Sequence, residues 1–146
     1  MQQQVSEQQI VQMAQQEEAV LKSQKSFLRK IISIRQDSNR TIDSLNELIK
    51  NPEKMYMNLG SGVLIEVEAK NKENCKRAFA ENGYLEEKLP ATIKWLEKRK
   101  ENSQKQIERI EQDMAKTESK LNELINVLKQ IDAQKRKQQE FSISKK

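Results

Sequence analysis

Apolar residues recur every three to four positions from about Gln8 to Lys50, and again from about Pro90 to Gln139. Between these stretches the period changes to two. In the first stretch, positions 13, 20, 27, 34, 41 and 48 read Met, Val, Phe, Ile, Thr and Leu. Positions 14, 21, 28, 35, 42 and 49 read Ala, Leu, Leu, Arg, Ile and Ile, and Ile10, Ile31 and Leu45 fall on a third neighbouring row. Together they make one broad apolar stripe, the mark of an amphipathic helix. Neither glycine nor proline interrupts it before Asn51-Pro52, which is a stop signal because the residue before proline avoids the helical region. The second stretch is narrower. Ile93, Lys100, Ile107, Met114, Leu121 and Leu128 alternate with Leu96, Ser103, Ile110, Thr117, Leu124 and Ile131 as the a and d positions of six heptads, broken once at Lys100 and Ser103. Pro90 suits a first helical turn, where its missing N–H costs nothing. Two such helices joined by a short connection bury their stripes by pairing antiparallel, and the strict repeat of seven predicts a left-handed supercoil.

The centre reads as strands. Met55, Met57 and Leu59 alternate with Tyr56 and Asn58; after Gly60-Ser61-Gly62, Val63, Ile65 and Val67 alternate with Leu64 and Glu66. This is a hairpin pattern around a glycine-bearing turn. Asn71 to Asn74 is turn-like. Cys75, Arg77 and Phe79 then alternate with Lys76, Ala78 and Ala80, and Asn82-Gly83 predicts a second hairpin turn ahead of Tyr84 to Lys88. The predicted fold class is α+β: one domain over 1–146, with a long antiparallel coiled-coil hairpin (about 8–51 and 90–139) joined by two β-hairpins at about 54–89. Residues 1–7 and 140–146 are expected as flexible ends. Isolated hairpins are marginal in water, and their edges stay unpaired. The strands are therefore expected to complete a β-barrel platform with other subunits. Met55, Met57, Leu59, Val63, Ile65, Val67, Phe79, Tyr84 and Leu85 are the candidate oligomer interface.

Composition supports an elongated seam rather than a thick core. Hydrophobic residues are 35% and charged residues 34%, where an ordinary globule is about half apolar and a quarter charged. The net charge of +5 is concentrated beyond residue 90, where fourteen basic groups face nine acidic ones. Clusters at Lys94, Lys98, Arg99 and Lys100, at Lys135-Arg136-Lys137 and at Lys145-Lys146 read first as solvated helix faces; a phosphate or an acidic protein surface is the alternative partner. One cysteine, Cys75, and no histidine exclude an internal disulfide, zinc-type sites and histidine-assisted nucleophiles. Gly60-Ser61-Gly62 is too short and wrongly placed for a phosphate loop. Glu86 and Glu87 are expected at an exposed strand end, pointing to opposite faces. No enzyme, cofactor, metal or membrane span is expected, and a cytoplasmic protein is the default reading.

Several residues carry a resemblance. Leu59-Gly60-Ser61-Gly62-Val63-Leu64-Ile65-Glu66-Val67 is similar to the first hairpin of the prefoldin α-class subunit. Asn82-Gly83-Tyr84-Leu85-Glu86-Glu87-Lys88, leading into Ala91-Thr92-Ile93-Lys94-Trp95-Leu96-Glu97-Lys98-Arg99, resembles the second hairpin and the following helix start. The chain departs from the pattern at Glu86, where a branched apolar residue is usual, at Asn58, where proline is common, and in a turn poorer in glycine. The resemblance is to an α-class subunit or a prefoldin-like paralogue; a β-class subunit has a single hairpin. It implies a hexamer of two α-class and four β-class subunits, a double β-barrel from which six coiled coils hang. That assembly is an ATP-independent holdase chaperone. It binds unfolded client protein at the coiled-coil tips and passes it to a cytosolic group II chaperonin; in eukaryotes the clients include actin and tubulin. The candidate tip residues are Val5, Ile10, Val11, Met13, Leu128, Ile131, Phe141 and Ile143, of which Met13, Leu128 and Ile131 also fit a coiled-coil core. The competing reading is a coiled-coil scaffold or a nucleic-acid-binding helical hairpin using the basic second helix. The strands argue against it, because a plain arm needs only a tight turn.

Overall fold

The computed structural model describes residues 5–51 and 53–145. The expected stop at Pro52, the glutamines at 2–4 and Lys146 of the terminal basic pair lie outside the described residues. The element order is α1 (Glu7–Lys50), β1 (Met55–Gly60), β2 (Val63–Val67), β3 (Asn74–Ala80), β4 (Gly83–Lys88) and α2 (Leu89–Ser144). α2 thus continues past the boundary expected near 139. The helix start of α1 is set by a reciprocal cap. Gln9 N–H donates to Ser6 Oγ at 3.3 Å, and Ser6 N–H donates to Gln9 Oε1 at 2.8 Å, satisfying two otherwise orphaned donors.

The chain divides into two units. One joins α1 up to Lys30 with α2 from Ile107 onward; the other runs from Ile31 to Gln106 and holds both hairpins. In the first unit the buried side chains are Ile10 and Leu21 of α1 and Ile107 and Thr117 of α2, with Met114, Leu121, Leu124, Leu128 and Ile131 half-buried. Lys135 and Glu7 form an ion pair in this unit. In the second unit Ile31, Ser38, Ile42 and Leu48 of α1 are buried, as are Leu89, Thr92, Leu96 and Ser103 of α2.

Beyond its first turn, where Leu89 and Thr92 are buried, the buried positions of α2 are those of the predicted a/d seam. Those of α1 correct the broad stripe. Rows 13–20–27 and 14–21–28 are neighbours one residue apart, about 100° around the helix, so a single partner helix cannot cover both. Leu21 is buried and Leu28 half-buried, whereas Met13, Val20 and Phe27 are exposed. The second seam row is that of Ile10 and Ile31, which also carries the half-buried Glu17 and Gln24 and the buried Ser38. Near its C-terminal end α1 changes row, burying Leu48 and exposing Ile49. The polar break in α2 has a partner: Lys100 Nζ donates to Asn39 Oδ1 at 2.7 Å. The Ser38 and Ser103 hydroxyls donate back to the carbonyls of Ile34 and Arg99 on their own helices.

The strands form two separate two-stranded antiparallel sheets, β1–β2 and β3–β4. At the first turn Gly60, Ser61 and Gly62 all have positive φ, at 99°, 52° and 79°. Ser61 and Gly62 are the two loop residues between paired Gly60 and Val63, with the φ signs of a type I′ turn. Asn58 Oδ1 accepts from Gly60 N–H at 2.8 Å and so supports the bulge there. The second turn differs from expectation. Its loop residues are Glu81 and Asn82, while Gly83 pairs with Ala80 and opens β4. Gly83 is required neither for φ nor for space, since a Cβ there would meet the Phe79 ring at an ordinary contact distance of 3.5 Å.

Candidate assembly and client surfaces

Register sorts the interface candidates onto faces. In the first hairpin Met55 pairs with Val67 and Met57 with Ile65, so these four side chains share one face with Val63. Tyr56 and Leu64 lie on the opposite face, beside Asn58 and Glu66. Leu59 sits at the bulge between Asn58 and Gly60 and leaves the simple alternation. Met57, Leu59, Val63, Leu64, Ile65 and Tyr56 are all exposed, so the wholly apolar face is largely uncovered and the other shows Tyr56 and Leu64 beside Asn58 and Glu66.

In the second hairpin Ala78 pairs with Tyr84 and Arg77 with Leu85. The candidates Tyr84 and Leu85 therefore point to opposite faces, and Phe79 is the bulge residue. Phe79 and Tyr84 are 74% and 73% exposed, a large aromatic surface for a sheet this small. The other face, bearing Cys75, Arg77, Leu85 and Glu87, packs on the start of α2. Glu87 Oε1 accepts from Arg77 Nε at 2.6 Å and from the Thr92 hydroxyl at 2.7 Å. With the Thr92 proton committed to Glu87, the Cys75 thiol is the donor across the 3.1 Å contact to Thr92 Oγ1. The Arg77 guanidinium lies 4.3 Å from the centre of the Trp95 ring, and Arg99 lies 5.3 Å from it. The bond from Arg77, then that from Thr92, holds the Glu87 carboxyl below the ordinary carboxylate range. Glu87 is consequently no exposed strand end, contrary to expectation: only Glu86 is, because the two do point to opposite faces. This cluster fixes the second hairpin to α2; the place of Trp95 off the a/d rows beside the hairpins predicts packing against the strands, and its contact with Arg77 agrees, whereas the bonds to Glu87 are not predicted. A signal was present, since Cys75, Arg77, Glu87, Thr92 and Trp95 are all consistent with one face of a strand pair and one face of a helix start. Leu89 N–H donates to Glu73 carbonyl at 3.0 Å, a second tie between the same elements.

The tip candidates belong to the first unit. Val5, Val11, Met13, Phe141 and Ile143 are exposed, Ile143 at 75%. Leu128 and Ile131 are half-buried in the seam. Ile10 is 8% exposed, so it is a core residue and not free surface. The reason is its place in the seam row with Ile31, while Met13 falls on the outer row. Phe141 carries the Lys145 ammonium 4.7 Å above its ring. Ile125 and Val127, which were not among the candidates, add exposed apolar surface to this unit. Among the described residues there is no cluster of metal-ligating side chains, and no helix is long and apolar enough to cross a membrane.

Comparison with known proteins fits this arrangement. The family model described as prefoldin subunit matches residues 14–134. A filamentous PFD from Methanocaldococcus jannaschii, solved by cryo-EM, shares the fold with a TM-score of 0.60 at 14% identity, over 82% of this chain and 98% of that one. No curated protein sequence matches. Matched over most of its length to the prefoldin model, and built of the same two helices and paired hairpins, the chain belongs to the prefoldin family of non-enzymatic chaperone subunits.

Proposed function

We propose that this chain is an α-class subunit of a hetero-hexameric, ATP-independent holdase. The observation that carries the reading is the pair of separate two-stranded sheets with apolar, uncovered faces. A two-stranded hairpin is marginal alone in water, and the second hairpin is held on α2 by one face only, leaving Phe79 and Tyr84 open. Partner strands cover Met57, Val63, Ile65 and their neighbours and complete the platform, and the presence of two hairpins supports the α class. Its partners are β-class subunits and a second α-class subunit. Unfolded polypeptide is held by apolar side chains near the chain ends, where Val5, Val11, Met13, Phe141 and Ile143 lie open to solvent, and is then delivered to a group II chaperonin in the cytoplasm.

Co-purifying the chain with its cellular partners and weighing the intact complex by native mass spectrometry should give a hexamer of mixed subunits. A folded monomer would overturn the proposal. Removing residues 1–13 together with 133–146 should leave that mass ratio of subunits intact and weaken suppression of client aggregation. Undiminished suppression would refute the role of the ends.

A further inference from the structure

One side of the α1–α2 pair in the second unit carries an open groove of about 510 Å³. Ile34 of α1 and the Trp95 ring of α2 supply its apolar surface, and Lys98, Arg99, Asn102 and Gln106 form an exposed polar rim. Two guanidiniums approach the half-buried Trp95 ring, Arg77 at 4.3 Å and Arg99 at 5.3 Å. Arg77 is answered by the Glu87 carboxylate at 2.6 Å. Among the described residues Arg99 takes part in no ion pair, and neither does Lys98. No described carboxylate lines the groove. Those nearest in the chain are turned away or committed. Glu97 lies about 160° around α2 from Arg99, Glu101 pairs with Lys105 at 3.1 Å, and Asp37, one turn after Ile34, pairs with Arg40 at 3.8 Å. The side-chain amides of Asn102 and Gln106 make no hydrogen bond among the described residues.

We infer that this groove docks a short acidic segment of a partner protein in extended form, with one apolar side chain set against Trp95 and Ile34. Charge selects the acid. A guanidinium held against a ring is already oriented, so a carboxylate gains a charge-assisted bond at little cost in side-chain freedom. Lys98 beside it penalises a basic segment. The amides select extended backbone. Peptide groups of an extended segment are free to bond to Asn102 and Gln106, whereas those of a helix are already paired within it. Trp95 and Gln106 stand about 16 Å apart along α2, a span that about five extended residues cover. Nucleic acid fits less well, because a base would have to stack on a ring over which Arg77 already lies at 4.3 Å. This surface is separate from the chain ends and from the uncovered strands, and it does not depend on the holding of clients.

The test uses the full chain in its co-purified complex and a fluorescein-labelled peptide of about eight residues, a leucine followed by glutamates, with both ends blocked. Fluorescence anisotropy should show saturable binding. Arg99→Gln should weaken it about tenfold, as for loss of one charged hydrogen bond, and Arg99→Lys should weaken it less. Lys120→Gln, which removes the same charge from an exposed position in the first unit, should leave binding unchanged. Exchange of the peptide's glutamates for lysines should abolish binding, and exchange of its leucine for serine should weaken it. A photoreactive leucine in the peptide should cross-link within residues 31–34 or 95–106 of the parent complex, which locates the site even where a variant fails to assemble. No binding by the parent complex, equal weakening by Lys120→Gln and Arg99→Gln, equal binding of the lysine peptide, or cross-links confined to other residues would each overturn the inference. So would a single-stranded oligonucleotide that binds more tightly and displaces the peptide, which would assign the groove to nucleic acid.

Discussion

Glu87 shows how one side chain can set the position of an element. Its carboxylate takes two strong hydrogen bonds, from Arg77 and from Thr92, and thereby links β3, β4 and the first turn of α2. Both bonds favour the ionised form, so its pKa is lower in the folded chain than in the unfolded one. The stabilisation is therefore complete above the ordinary glutamate value of about 4.3. It is lost as the pH falls through the lower folded value. Thermal unfolding followed between neutral and acid pH should show this loss in the parent chain and not in Glu87→Gln. Arg77→Ala should move the loss upward toward the ordinary range, and an unchanged profile in both variants would show that the bonds contribute nothing. Glu87 was legible as facing away from Glu86, because strand side chains alternate. Its burial was not legible, because that depends on α2 folding back over one face of the hairpin.

At the scale of elements, the helices differ in how much they reveal. α2 keeps a regular apolar repeat on two rows, with Trp95, Ile125, Val127, Phe141 and Ile143 scattered off them, so its seam could be read directly. α1 has three apolar rows, and periodicity alone cannot choose among neighbours one residue apart. Leu21 and Val20 make the choice measurable. Leu21→Ala removes a buried side chain and should cost about 2–4 kcal/mol. Val20→Ala touches an exposed one and should stay within about 0.5 kcal/mol. Equal losses in chemical denaturation would place both on the seam and refute the assignment. The N-terminal cap was available in the sequence as Ser6-Glu7-Gln8-Gln9, a hydroxyl and an amide three residues apart before an apolar run. With it α1 begins at Glu7, inside the stretch expected as a flexible end. The second turn misled for a different reason: Asn-Gly favours positive φ at both central residues, yet the register of β3 with β4 makes Glu81-Asn82 the loop.

At the scale of the whole molecule, one chain leaves apolar strand surface uncovered. Val63, Ile65 and Val67 share a face of β2 with Met55 and Met57 opposite, and Ile65 is exposed in the single chain. Changing Ile65 and Val67 to Asp puts two carboxylates where partner strands would bury apolar groups, at a cost of several kcal/mol. The expected result is loss of the assembled species in size-exclusion chromatography with light scattering, with the helical signal in circular dichroism kept. An intact assembly would show that this face is not an interface.

The amino-acid sequence alone determined which stretches are helix and strand, where the hairpins lie, the seam of α2, and the family resemblance later matched by the prefoldin model. These are set by local spacing and turn chemistry, which neighbouring residues dictate. Only the tertiary structure decided which α1 row is buried, that Ile10 is core while Met13 and Phe27 are surface, and that Arg77, Glu87, Thr92 and Trp95 converge. Those outcomes depend on packing between residues far apart in the chain, where a rotation of one helix by about 100° exchanges core for surface without altering a single periodicity.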